Sequence, residues 1–152
     1  MTTTRELISG HPFLETLAPE YLTALSTWAR RSPIPAGGHL FTEGGRADRF
    51  WLIRDGHVAL DTHIPGRGTV VIETLGPGAV LGWSWMFPPY AWHFGATAVE
   101  PTLTIEFSAP DVRRICAENP ALGYELTHRF ASVVVDRLQA TRIRLLDLYR
   151  TP

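Results

Sequence analysis

The sequence contains no lysine: all 14 basic residues among its 152 are arginine. Schiff-base chemistry, a phosphate-loop lysine and an amine general base are thereby excluded, because each needs a titratable side-chain amine. A single cysteine, Cys116, excludes an intramolecular disulfide framework and any multi-thiolate zinc site. Set between Ile115 and Ala117, it reads as a small apolar core residue rather than a reactive thiol. No apolar run approaches the roughly 18–20 residues of a transmembrane helix. The opening stretch MTTTRELISGHPF lacks the continuous apolar segment of a signal peptide. A cytoplasmic protein is expected. A formal net charge of -1 offers no global field to draw in nucleic acid or acidic lipid.

What is present suits one ordinary globular domain, 45% apolar and 19% charged, long enough to fold on its own core. Residues 1–152 are read as that one domain, in three zones. Over 11–31, Phe13, Leu14, Leu17, Tyr21, Leu22, Leu25 and Trp28 recur at steps of three and four and predict a helix. Ser32-Pro33-Ile34-Pro35 ends it. Over 33–107, glycine turns at Gly37-Gly38, Gly44-Gly45, Asp55-Gly56, Gly66-Arg67-Gly68 and Gly76-Pro77-Gly78 punctuate strand-like runs. Their spacing of roughly 7–12 residues is that of a jelly roll, with a hairpin expected at Asp55-Gly56. Over 110–150 the pattern is helical again. Tyr124, Thr127, Ala131, Val134, Leu138, Thr141, Leu145 and Leu148 form a heptad seam, and Leu126, Phe130 and Val133 a second apolar face. Two apolar faces predict a parallel homodimer held through Val134, Leu138, Thr141, Leu145 and Leu148; the alternative is one wide core-facing stripe in a monomer.

Helix, glycine-punctuated roll and seam helix, in that order, resemble the cyclic nucleotide-binding domain of the catabolite activator (Crp/Fnr) superfamily. The resemblance is carried by His11-Pro12-Phe13-Leu14, by Phe41-x-Glu43-Gly44, by Asp48-x-Phe50-x-Leu52-Ile53-x-x-Gly56-x-Val58 and by Leu75-Gly76-Pro77-Gly78-x-x-x-Gly82. Arg137-Leu138-Gln139-Ala140-Thr141 is similar to the helix stretch that places a threonine against the adenine of cAMP. The implied fold is α+β: a double-stranded β-helix with an N-terminal helix and a long C-terminal dimerisation helix. The implied role is non-catalytic sensing, with the dimer's response read by a partner protein. The sequence reaches Pro152 directly after the seam helix, so no recognition helix and no direct DNA binding are expected.

The sequence departs from that family at the ligand. The resemblance implies a glutamate after Gly82 for the ribose hydroxyl and an arginine about ten residues on for the cyclic phosphate. Trp83 stands at the first position and Trp92 or His93 at the second, and no arginine occurs between Arg67 and Arg113. A buried phosphodiester needs a guanidinium or a cluster of N–H groups. Three readings follow. The aromatics of this degenerate cassette fill the pocket, leaving a scaffold for protein interaction. Alternatively the pocket takes a flatter or less charged small molecule, with Ser84, Tyr90 and His93 as polar handles. Or a cyclic nucleotide binds through backbone N–H groups after Gly82, assisted by His93 and Thr141. The candidate ligand residues are therefore Gly82, Trp83, Ser84, Tyr90, Trp92, His93 and Thr141. No metal site or cofactor is expected, since His11, His39, His57, His63 and His93 lack the close spacing of ligand pairs. No Gly-x-Ser-x-Gly, His-Glu-x-x-His or Walker pattern suggests an enzyme.

Overall fold

The computed structural model describes residues 2–150. Two four-stranded antiparallel sheets face each other. One has the order β1 (Ala29–Ile34), β8 (Thr102–Ser108), β3 (Arg49–Asp55), β6 (Val80–Leu81). The other runs β2 (His39–Phe41), β7 (Gly95–Ala98), β4 (Val58–Ile64), β5 (Gly68–Leu75). Helices α1 (Thr4–Ser9) and α2 (Pro19–Ser26) precede the roll, and α3 (Ala109–Glu118) and α4 (Pro120–Leu148) follow it. This is the expected α+β jelly roll with a long C-terminal helix.

The stretch expected to be one helix over 11–31 is divided. Phe13, Leu14 and Leu17 are buried as predicted. They lie, however, in a series of turns that stops where Thr16 adopts φ 72°. The helix restarts at Pro19, whose fixed φ suits a first turn. It ends at Ser26 because Ala29–Ile34 is claimed by the roll, pairing with β8 from Ala29↔Phe107 to Ile34↔Thr102. Pro33 is tolerated there because β1 is an edge strand.

Asp55-Gly56 also differs from expectation. β3 and β4 belong to different sheets, so the turn is a corner between sheets and not a hairpin. Gly56 has φ 91°, and a Cβ there would lie 2.7 Å from the Pro101 carbonyl oxygen. Gly66–Gly68 does close a hairpin, with β4 paired to β5 from Val58↔Leu75 to Ile64↔Gly68.

Two aromatic assemblies organise the interior. On the helix side, Phe50 stacks on Trp85 at 4.7 Å and on Phe107 at 4.6 Å, while Phe130 of α4 meets Phe13, Phe50 and Trp85 edge-on. Between the sheets, Trp92 stacks on Phe41 at 3.9 Å, with Trp51 behind it. The N-terminal turns are tied down by polar contacts as well. His11 is buried, accepts the Phe13 N–H on Nδ1 at 3.1 Å, and its Nε2 donates to the Ile53 carbonyl at 2.9 Å. Burial pushes its pKa down, so the ring stays neutral in this role. Arg129 of α4 donates to the carbonyls of Phe13 and Glu15. Several arginines are held by specific contacts. Arg30 grips the buried Glu106 at 2.6 Å, beside Arg49 at 3.2 Å. Arg113 lies over the Tyr90 ring, and Arg114 over Trp28.

Candidate functional site

The stretch from Gly82 to Gly95 leaves β6 and returns as β7, and its backbone decides which rings point inward. Gly82 has φ 97°, and a Cβ there would stand 2.8 Å from the far edge of the Trp92 indole. Only glycine lets that ring slide beneath the turn. Trp92 is fixed by a two-way backbone ladder: Gly44 N–H donates to the Trp92 carbonyl at 2.8 Å, and Trp92 N–H donates to the Gly45 carbonyl at 2.9 Å. Ala47 N–H donates to the carbonyl of Tyr90 at 2.7 Å. With its backbone pinned on the roll's rim, Trp92 turns its ring between the sheets, where it is 3% exposed.

A relay of rings runs outward from there. Trp51 lies 6.1 Å from Trp92, Trp92 3.9 Å from Phe41, Phe41 5.9 Å from Phe94, and Phe94 5.5 Å from Trp83. Each such pair is worth roughly 0.5–1.5 kcal/mol beyond its buried area. The relay ends at a cation: the Arg137 guanidinium of α4 sits 4.8 Å from the centroid of Trp83.

An open space lies on the outer side of that relay. Between the sheet containing β4 and β5 and the C-terminal half of α4 lies a groove of about 600 Å³. Trp83, Phe94, Leu60 and Ile72 form its roll wall, with Glu73 at the edge. Val134, Leu138, Thr141, Leu145 and Leu148 form its helix wall, together with Arg137 and Arg144.

Arg137 is the most unusual group in it. Its Nη2 donates to the Val80 carbonyl at 2.6 Å, while Nη1 is buried with no hydrogen-bond partner. Burial pushes the guanidinium pKa down, and the nearby Glu73 carboxylate opposes that shift. An unpaired buried donor on a charged group is costly, so this nitrogen is poised for an acceptor.

The expected ligand residues do not share one place. Trp83 and Thr141 meet at the groove, with the seam residues Val134, Leu138, Leu145 and Leu148 beside them. Trp92 and Gly82 belong to the filled interior. Ser84 is buried with its hydroxyl unpartnered, in a single 3-10 turn over Ser84–Met86. Tyr90 packs under Arg113. His93 is exposed, and neither it, Ser84 nor Tyr90 lines the groove. These three therefore lie apart from Trp83 and Thr141, with Trp92 turned inward from its pinned backbone and the next residue, His93, at the surface. Arg137 enters the sequence reading only as the first residue of the Arg137–Thr141 stretch, without a role of its own, and Glu73 does not enter it. The readable signal for Arg137 was its position one helical turn before Thr141, on the same face.

Among the described residues no three His, Cys, Asp or Glu side chains cluster as metal ligands. No helix among them is long and apolar enough to cross a membrane.

Comparison with known proteins places this geometry. The sequence profile of the cyclic nucleotide-binding domain matches residues 31–119. A CRP-like cAMP-activated global transcriptional regulator of Mycobacterium tuberculosis is 23% identical over 146 residues, 96% of this chain and 63% of the regulator. The chain thus spans less than two thirds of that relative's length. The catabolite activator protein of Thermus thermophilus is similar in structure with a TM-score of 0.70 and 26% identity, over 91% of this chain and 63% of that one. A cyclic nucleotide-binding domain from Methylobacillus flagellatus shares the fold with a TM-score of 0.79 and 24% identity, over 95% of this chain and 81% of that one.

Proposed function

The chain belongs to the cyclic nucleotide-binding domain family, and from that premise we propose that it is a non-catalytic, cytoplasmic small-molecule sensor whose ligand seat is the groove between the roll and α4. The observation that carries this reading is the contrast between two neighbouring spaces. The interior beneath Gly82 is occupied by the stacked Trp92 and Phe41 rings. The groove on the other side of Trp83 is open, apolar and walled by α4. A ligand there touches the roll and the helix at once. It biases the helix by whatever differential affinity it has for two arrangements of α4, and a partner protein reads the result.

The cassette does not favour a cyclic nucleotide bound in the family's usual way. No arginine lies between Arg67 and Arg113, and Trp83 replaces the implied ribose-binding glutamate. Cyclic AMP or cyclic GMP at millimolar concentration is therefore expected to move the melting temperature by less than about 1 °C. Saturation at 100 times the dissociation constant would supply about 2.7 kcal/mol, a rise of roughly 5–10 °C for a domain of this size. A rise of that order with either nucleotide overturns this reading in favour of a cyclic nucleotide receptor.

The helix is also the proposed dimer seam. Leu138 is 56% exposed and Leu145 53%, an apolar stripe that a single chain leaves uncovered. Sedimentation equilibrium at micromolar concentration is expected to report twice the 16.9 kDa chain mass, and Leu145→Glu to shift it toward one. A monomeric wild type refutes the seam.

A further inference from the structure

On the reading that this groove is the ligand seat, we propose that its occupant is a planar aromatic acid, its ring held between Trp83, Phe94 and Leu138 and its carboxylate paired with the Arg137 guanidinium. The charge requirement comes from the helix. The roll segment 68–112 contains neither arginine nor lysine, so nothing in the cassette can neutralise an anion permanently. Arg137 brings a guanidinium into a largely apolar groove from α4, anchored through Nη2 on Val80 and stacked on Trp83. Its second terminal nitrogen is left without an acceptor. A carboxylate satisfies that nitrogen and gains from the low local dielectric, where charge-assisted bonds are strong.

Arg144 adds a second cation to the same lining and is held to the roll at the Ile72 carbonyl, 2.6 Å away. Glu73 is the one carboxylate in the lining. Two cations against one anion favour an acid over a neutral molecule. The remaining wall is aliphatic and aromatic, which suits a ring and offers little to a sugar: Thr141 and Glu73 are the polar groups apart from the arginines. A compact aromatic acid meets these terms better than a ribose-bearing nucleotide.

The test uses a matched pair of probes on the whole chain, 2-naphthoate and its neutral isostere 2-naphthamide, followed by calorimetry and tryptophan fluorescence. The acid is expected to bind at least about tenfold more tightly than the amide, a difference of about 1.4 kcal/mol. Arg137→Gln is expected to abolish that preference while leaving amide binding in place. Raising the salt concentration weakens the acid only, so the wild-type comparison stands even if the variant folds poorly. Equal affinity for the two probes overturns the charge assignment while the groove remains the seat. A preference that survives Arg137→Gln in a folded variant likewise overturns the role of Arg137. Binding of neither probe overturns the groove reading itself.

Discussion

Phe130→Ala is expected to cost about 3–5 kcal/mol of folding stability, the range for removing a fully packed aromatic ring. Phe130 is 2% exposed and meets three segments far apart in sequence: Phe13 at 4.7 Å, Phe50 at 5.3 Å and Trp85 at 5.3 Å. Its neighbours are rigid rings held by their own stacking, Phe50 on Phe107 and on Trp85. They cannot collapse into the space, so the cavity contribution adds to the lost transfer energy. Tyr124→Ala on the same helix is the control. Tyr124 is 68% exposed, and its loss is expected to stay within about 0.5 kcal/mol. Chemical denaturation of the two variants measures both. A cost below about 1 kcal/mol for Phe130→Ala would mean that α4 is not docked on the roll through this ring. The groove depends on that docking, because Arg137 and Trp83 meet only if the helix is seated.

Trp92→Ala is expected to cost a similar amount, about 3–5 kcal/mol, for a different reason. The indole separates the two sheets, stacked at 15° on Phe41 and lying against Gly82. Its removal leaves an apolar void inside the roll rather than at a helix contact. Such voids stay dry and accept small apolar molecules. Millimolar indole is accordingly expected to raise the melting temperature of Trp92→Ala clearly more than that of the wild type, which offers it only the outer groove. A near-neutral substitution, or indole stabilising both proteins alike, would show that the interior is not filled by this ring.

The sequence made some of this legible and hid the rest for physical reasons. Glycine turns marked the roll because positive φ is costly for other residues: Gly44, Gly66, Gly68 and Gly78 all adopt it. The heptad spacing of α4 was equally plain, and it led to Thr141 and the seam stripe. β1 was hidden because Leu22, Leu25 and Trp28 carry a helical period up to its first residue, while what makes it a strand is the edge of β8, about 70 residues away in the chain. β7 was hidden by composition. Gly95-Ala96-Thr97-Ala98 has little strand propensity, and its small residues are required by packing: a Cβ on Gly95 would sit 2.6 Å from the Asp61 carboxylate. Trp83 and Trp92 look alike in the sequence. Which one fills the roll and which one faces the groove is settled by the backbone ladder to Gly44 and Gly45, a long-range register that spacing does not encode. Arg137 was hidden in the same way, since its anchor is the Val80 carbonyl across the domain.

An open groove as the seat and a closed roll interior are the two features on which the proposed function depends, and the five tryptophans report on both. Their indole Nε1–H resonances can be followed by 15N–1H correlation spectroscopy while 2-naphthoate is added to the wild-type protein. The Trp83 signal is expected to shift progressively, with those of Trp51 and Trp92 fixed. Movement of Trp51 and Trp92 with Trp83 unchanged would place the ligand between the sheets and contradict the account.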